Sequence, residues 1–200
     1  MSQATILAIA GSARAESFNR KLLALAVRSG RSTGLGVDHV ELADYPIPIF
    51  NEDLEAEQGQ DPNATLLRRK LEASDGLMLA CPEYNGSLTP LLKNVIDWLS
   101  RGEQGGPGVD VYRGKTALLM GASPGRLGAS RAMAHLDTVL DGIGVNVMPT
   151  RFSVPGAGKA FDASGELVDD EQRKRLDQLI AEFAAFTGVN RPESDRETSE

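Results

Sequence analysis

The chain has 200 residues, of which 41% are hydrophobic and 24% charged, a length and composition that suit one globular domain with a substantial core. Its 21 basic and 28 acidic residues give a net charge of −7 with no cluster of Lys and Arg, which argues against a nucleic-acid partner. The amino terminus carries no export pattern, no apolar stretch approaches a membrane span, and the single cysteine cannot form an internal disulfide. We therefore expect a cytoplasmic protein with no membrane partner.

The first predicted element is a buried strand that ends in a loop rich in hydrogen-bond donors. Residues 6–10 are all apolar, as in a strand covered on both faces, and the chain turns at Gly11. An amphipathic helix begins near Ser17, and its free N–H groups and dipole favour a phosphate. Simple capping of an ordinary helix is the alternative that this loop alone leaves open. The loop supplies four polar side chains, those of Ser12, Arg14, Ser17 and Asn19.

This loop does not match the two best-known phosphate motifs. A dinucleotide fingerprint needs Gly-x-Gly, whereas Ser12 and Ala13 follow Gly11. A P-loop is absent as well, because the Gly158-Lys159 pair is followed by Ala160 rather than by Ser or Thr. Hydroxyl and guanidinium groups instead suit a terminal phosphomonoester, such as that of flavin mononucleotide (FMN).

The next segment connects the first strand to the middle of the predicted sheet. Alternating residues predict an edge strand over 37–42, and two prolines predict an extended connection over 45–50. The acidic segment 51–62 is interpreted as a mobile surface loop, and a helix is predicted over 63–73.

A second strand and loop provide a candidate site for a flat ring. The apolar strand 76–81 ends in a Pro, Asn and Gly-rich loop at residues 82–87, and an apolar-faced helix containing Trp98 follows. Such a loop holds backbone amides stiffly outside the sheet, so we expect the backbone of residues 84–86 to contact the ring edge. Glu83 is interpreted as a contact through its backbone rather than as a catalytic acid. Trp98 is assigned to the core or to a subunit interface.

The remaining elements continue the alternation of strands and helices. Strands are predicted over 115–121 and 145–148, and helices over 127–140 and 169–186. Residues 1–187 are assigned to one domain and the polar residues 188–200 to a disordered tail. Because ligands bind beyond the carboxyl ends of such strands, the small residues Ser123, Pro124 and Gly125 are predicted to form a third contact loop. A merely flexible glycine loop is the alternative.

Three segments together resemble the NADPH-dependent FMN reductase family, and most closely its bacterial quinone and chromate reductases. They are Gly11-Ser12-x-Arg14-x-x-Ser17-x-Asn19, Pro82-Glu83-Tyr84-Asn85, and residues 92–101. Leu88-Thr89-Pro90 departs from the glycine that many members have there, and is expected to reshape the substrate side without touching the phosphate cradle.

The resemblance implies an α/β flavodoxin-like fold, a doubly wound five-stranded parallel sheet of order 2-1-3-4-5 with helices on both faces. It also implies non-covalent FMN, NADPH or NADH as hydride donor, a quinone, flavin, azo or chromate-type acceptor, a ping-pong mechanism and a homodimer or homotetramer. The flavin carries the chemistry, so no catalytic side chain is assigned. The expected cofactor-binding residues are Gly11, Ser12, Arg14, Ser17, Phe18, Asn19, Pro82, Glu83, Tyr84, Asn85, Gly86, Ser123, Pro124 and Gly125.

Other candidates carry less chemistry. Arg126 and Arg131 are assigned either to an anionic substrate or to an intersubunit ion pair. Cys81 is interpreted as a buried strand residue, and His39 and His135 lack the spacing of metal ligands, so no metal is assigned. A flavodoxin-type electron carrier acting on protein partners is the alternative function.

Overall fold

A parallel β-sheet forms the centre of the molecule in the computed structural model, which describes residues 3–190. All its strand pairs are parallel, and the order β2-β1-β3-β4-β5 confirms the predicted flavodoxin-like topology. The strands are β1 (Thr5–Ala10), β2 (Gly36–Val40), β3 (Gly76–Ala80), β4 (Thr116–Ala122), β5 (Asn146–Val147) and β6 (Phe152–Val154).

Helices cover both faces of this sheet. Leu7 and Ile9 of β1 pack into one hydrophobic core, and Ile6 and Ala8 pack into the other, because successive side chains of a strand point to opposite faces. The central strands are therefore apolar throughout except for Thr5 and Thr116, the first residues of β1 and β4. Helices α3, α4 and α5 contribute to the first core and α1 and α7 to the second. The helices are α1 (Phe18–Ser32), α2 (Glu52–Gln58), α3 (Pro62–Glu72), α4 (Pro90–Leu99), α5 (Ser130–Gly142), α6 (Ala157–Ala160) and α7 (Asp170–Asn190).

The outer position beside β4 holds two short strands instead of the single predicted one. The pairing shifts from Ala117 with Val147 to Met120 with Phe152, so the outer segment carries two extra residues. Pro149 lies in this interruption and has no N–H to donate to the ladder. Strand β6, which sequence patterning missed, brings the chain back to the carboxyl end of β4.

The prediction of a mobile loop over 51–62 is wrong. Helix α2 occupies Glu52–Gln58, and the Asn51 side chain caps it by accepting the N–H of Asp53. Glu55 is only 7% exposed and forms an ion pair with Arg101, with Nη2 and Oε2 2.7 Å apart. The acidic composition suggested solvation, but one of these carboxylates is buried against an arginine distant in sequence.

The extended segment before α2 is fixed by two side chains of α4. Asn94 Nδ2 and Trp98 Nε1 both donate to the carbonyl of Pro48, each at 2.8 Å. Trp98 is 1% exposed and stacks edge-on against Phe50, which assigns it to the core of one chain rather than to a subunit interface.

Two predicted helix boundaries differ from the observed ones by three residues or more. Helix α5 begins at Ser130 rather than at 127, because Gly128 and Ala129 adopt positive φ of 52° and 66°. Helix α7 continues through Gly188 to Asn190, past the predicted start of the tail. Residues 191–200 of that predicted tail lie outside the described residues, and the one-domain assignment stays a prediction. No helix within residues 3–190 has both the length and the apolarity to cross a bilayer.

Candidate functional site

The three predicted loops converge at the carboxyl ends of β1, β3 and β4 and enclose an open pocket. It has a volume of about 430 Å³, part of which is open to solvent. Ten of its eleven lining residues belong to the predicted cofactor site, and the eleventh is Ala122. Gly11, Asn85, Gly86 and Gly125 lie in the same loops but are not part of this lining. The lining is formed by Ser12, Arg14, Ser17, Phe18, Asn19, Pro82, Glu83, Tyr84, Ala122, Ser123 and Pro124.

The first loop retains unused capacity to bind an anion. Ser17 is the N-cap of α1 but makes no capping bond through its side chain, and the first turn contains no acidic residue. The Arg14 guanidinium donates to the carbonyl of Glu16 at 3.2 Å and has no ion pair among residues 3–190. Uncapped N–H groups beside a guanidinium fit a phosphomonoester, so the donors present suit the phosphate of FMN.

Glu16, a carboxylate within this loop, is compensated. Glu16 pairs with Lys21, with Oε2 and Nζ 2.8 Å apart. The hydrogen bond from Lys21, and then its charge, hold the pKa of Glu16 below its ordinary value. Because Lys21 neutralises Glu16, this carboxylate repels a phosphate in the loop only weakly.

Asn19 links the first loop to the third. Its Nδ2 donates to the carbonyl of Ala122 at 2.8 Å, and its Oδ1 accepts the N–H of Ala122 at 2.9 Å. The nitrogen and the oxygen of the side-chain amide are therefore both hydrogen-bonded within the protein, and Asn19 is only 4% exposed. Asn19 lines the pocket, but its amide holds two loops together.

Thr89 links the first loop to the second. Its hydroxyl donates to the carbonyl of Gly11 at 2.8 Å and accepts the N–H of Leu92 at 3.3 Å, as the N-cap of α4. A Cβ on Gly11 would lie 2.9 Å from Leu92 Cβ and 3.1 Å from Pro82 Cδ, so only glycine fits there. The expectation that residues 88–90 leave the cradle untouched is wrong. Thr before Pro is a helix-start pattern that could have indicated this role.

The second loop forms a tight hairpin. Tyr84 and Ser87 exchange both backbone hydrogen bonds, at 2.9 and 3.0 Å, and Asn85 and Gly86 between them have φ of 51° and 81°. This is the geometry of a two-residue turn for which Asn-Gly is preferred. The Tyr84 N–H is used inside the turn and is not available to a ligand. The ring contact predicted for the backbone of residues 84–86 stays a prediction, with the N–H groups of Asn85 and Gly86 as its remaining donors.

Glu83 is held through its side chain by α5. Its carboxylate accepts from Arg131 Nε at 2.8 Å, from Arg131 Nη2, and from the N–H of Ala132 at 3.4 Å. Burial works to raise the pKa of Glu83, but the hydrogen bonds from Arg131 and Ala132 and the Arg131 charge outweigh it and lower the pKa. Arg131 thus has a partner within its own chain, which neither of the roles predicted for it included. The backbone role predicted for Glu83 and the role of Arg126 stay predictions.

The third loop is anchored by the segment that begins at β6. Ser123 N–H donates to the carbonyl of Val154 at 3.1 Å, and the Ser123 carbonyl accepts from Ala157 at 2.9 Å. The carbonyl of Gly125 accepts from Gly156 at 3.1 Å. These bonds favour a fixed loop over the flexible glycine loop considered as the alternative. Sequence reasoning missed this support because three residues of strand give too short a pattern.

The structure gives no catalytic or metal-binding geometry to Cys81 or His135 among the described residues. Cys81 is fully buried, and burial, with a smaller effect of Glu83, raises the pKa of its thiol to about 12. Among residues 3–190, no three or more His, Cys, Asp or Glu side chains converge closely enough to hold a metal ion. His135 instead contacts Ser87, with Nδ1 and Oγ 3.0 Å apart.

Proteins similar to this chain in sequence and in structure include reductases, several of them named for a flavin. The sequence profile described as NADPH-dependent FMN reductase matches residues 4–159. An NAD(P)H-dependent FMN reductase of Pseudomonas aeruginosa is 39% identical over 88% of this chain and 90% of its own length. The NADPH:quinone oxidoreductase of Arabidopsis thaliana is 31% identical over 91% of each chain. The solved structure of the flavoenzyme NAD(P)H:acceptor oxidoreductase of Paracoccus denitrificans aligns with a TM-score of 0.77 at 28% identity, covering 94% of this chain and 98% of that one.

The profile match and these relatives confirm the resemblance drawn from the three sequence segments, and they favour an enzyme over an electron carrier. FMN and NAD(P)H are accordingly its cofactors. The chain belongs to the NADPH-dependent FMN reductase family and is an FMN-containing, NAD(P)H-dependent reductase.

Proposed function

We propose that this reductase passes electrons from NAD(P)H to a quinone, with donor and acceptor using the same exposed face of the flavin in turn. The observation that carries the proposal is an open pocket bounded by an anion cradle on one side and a hairpin turn on the other. In this proposal one face of the flavin ring lies against the protein and the other faces solvent. Donor and acceptor must then alternate there, which gives ping-pong kinetics.

The residues of the pocket have separate tasks in this proposal. Arg14 and the first N–H groups of α1 bind the phosphate, and the N–H groups of Asn85 and Gly86 bind the polar edge of the ring. FMN held there would supply the redox chemistry: it would take a hydride from NAD(P)H and pass its two electrons and one proton to a quinone, with a second proton from solvent to complete the quinol. Fixed backbone N–H groups can stabilise negative charge on the ring edge without a proton transfer from the protein.

A quinone is favoured over an oxyanion, because a flat neutral ring can stack on the flavin without a cationic side chain to hold it. Arg131 beside the pocket is paired with Glu83 and offers little uncompensated charge. The naming of the Arabidopsis relative as a quinone oxidoreductase supports the same choice.

Steady-state kinetics test this proposal. Rates measured against NADPH at several fixed concentrations of a soluble benzoquinone should give parallel double-reciprocal lines. Chromate, an azo dye and free FMN, measured in the same way, should give lower kcat/KM. Intersecting lines would rule out alternation on one face, and a higher kcat/KM for chromate would rule out the quinone preference.

A second measurement separates the enzyme from an electron carrier. The yellow protein mixed anaerobically with NADPH alone should bleach within the time of one turnover. Bleaching that requires a protein partner would restore the carrier as the better description. The predicted homodimer or homotetramer and the cytoplasmic location remain part of the proposal, and sedimentation at several protein concentrations tests the assembly.

A further inference from the structure

Two side chains of α5 contact the hairpin of the second loop at three residues. Arg131 binds the Glu83 carboxylate through Nε at 2.8 Å and through Nη2. Its guanidinium also lies against Gly86, since a Cβ built there would be 3.7 Å from Arg131 Cζ and Nε. His135 Nδ1 lies 3.0 Å from Ser87 Oγ. Arg131 and His135 are four residues apart and so share one face of the helix.

The same contact completes the start of α5. The N-cap residue, Ala129, has no side chain able to cap, and its φ is 66°. The first turn of α5 contains no acidic residue, yet Glu83 accepts the N–H of Ala132 at 3.4 Å. A carboxylate from another loop therefore supplies the negative charge that a helix start favours. The contact thus stabilises both the position of the hairpin and the first turn of α5.

The charge of Glu83 would otherwise oppose the reaction. Glu83 is one of the residues that line the pocket, and reduction places negative charge on a ligand bound there. A carboxylate without a partner would weaken binding of the reduced ligand more than of the oxidised one. Arg131 carries the opposite charge and touches the same carboxylate.

We propose that Arg131 and His135 are positioning residues of this reductase, which fix the Glu83–Ser87 hairpin against the flavin edge, and that Arg131 neutralises Glu83 so that the reduced cofactor is not repelled. The inference rests on the proposed placement of the ring edge at Asn85 and Gly86. It assigns no substrate contact to either side chain.

Two quantities measured on five variants test it: the Kd of oxidised FMN, from fluorescence quenching on titrating the apoprotein, and the two-electron midpoint potential of the bound flavin. The variants are R131M, E83Q, the double variant R131M/E83Q, H135A and R113M. Arg113 is an exposed arginine before β4, at the opposite end of the sheet, so R113M is matched to R131M in charge and size.

We expect R131M and E83Q to shift the midpoint potential in opposite directions, and the two shifts to cancel in the double variant. R131M should bind reduced FMN about tenfold less well relative to oxidised FMN, which is a fall of about 30 mV in the midpoint potential. E83Q, which leaves Arg131 unpaired, should shift the potential upward, and the double variant should return close to wild type. H135A should raise the Kd of oxidised FMN about threefold with little change of potential, as expected for one lost hydrogen bond. R113M should match wild type in both.

Several outcomes would overturn the inference. One is a midpoint potential in R131M equal to that in R113M. Another is a midpoint potential in the double variant as low as that in R131M. A raised KM for NADPH that persists in the double variant, at unchanged potential, would make Arg131 a substrate contact instead. If R131M does not fold, the upward shift in E83Q and the affinity loss in H135A carry the test. Failure of the wild-type apoprotein to bind FMN would overturn the proposed function itself, whereas normal binding without these shifts would overturn only this inference.

Discussion

At the scale of single residues, Arg14 has the most direct prediction because its guanidinium has no ion pair among residues 3–190. We expect Arg14→Ala to weaken FMN binding by about 1.5 to 3 kcal/mol, the range for hydrogen bonds to charged groups. Titration of the apoprotein with FMN measures it, with thermal unfolding to show that the apoprotein fold is intact. Unchanged affinity would remove the main support for the phosphate cradle.

Thr89 is a residue whose role became visible only in the folded chain. Thr89→Val keeps the shape but removes the hydroxyl that reaches Gly11 and caps α4, and should cost about 1 to 2 kcal/mol of unfolding free energy. Thr89→Ser keeps the hydroxyl and serves as the control. Chemical denaturation of the two variants compares them. Equal stability would show that the bond between the loops contributes nothing.

The Asn85-Gly86 turn and the neighbouring Glu83 predict contrasting effects of three substitutions. Asn85→Pro should lower quinone reductase kcat about tenfold or more, because proline cannot adopt the positive φ of 51° seen there. Asn85→Gly should be tolerated, and Glu83→Gln should be mild, since the chemistry needs no carboxyl proton. Steady-state rates at full flavin occupancy decide this. A large loss of kcat in Glu83→Gln would identify a catalytic carboxylate instead.

At the scale of elements, the bond between the hairpin and α5 should make stability depend on pH. Because the pKa of Glu83 in the folded chain lies below its ordinary value of 4.5, the ionised form is stabilised by folding. The stability advantage of wild type over Glu83→Gln should be complete above about pH 4.5 and should disappear as the pH falls through the folded pKa. Denaturation curves across this range measure it, and an advantage that grows with acidity would contradict it.

Sequence patterning predicted those elements whose signal is local. The strands β1, β3 and β4 are apolar after the threonines that begin β1 and β4, because both faces are buried, and such runs are recognisable without a fold. Helix α2 was missed because its burial depends on Arg101, 46 residues from Glu55. Strand β6 was missed because its three residues exist as a strand only through pairing with β4.

At the scale of the whole molecule, the pocket is a ring of three loops joined by side chains. Asn19 joins the first loop to the third, Thr89 joins the first to the second, and Glu83 joins the second to the helix that follows the third. The sequence motifs identified the loops and most lining residues. They could not separate residues that face a ligand from residues that hold loops together, since Asn and Thr serve both purposes.

The broken outer strand has a consequence for how copies of the chain can associate. An exposed strand edge is a template on which a second chain can extend a sheet, and such growth leads to aggregation. Here the outer edge is divided into segments of two and three residues, with Pro149 between them. So short and interrupted an edge cannot pair with a continuous foreign strand. A second chain therefore cannot extend the sheet at this end, and pairing of that kind is left to the opposite edge, the uninterrupted strand β2.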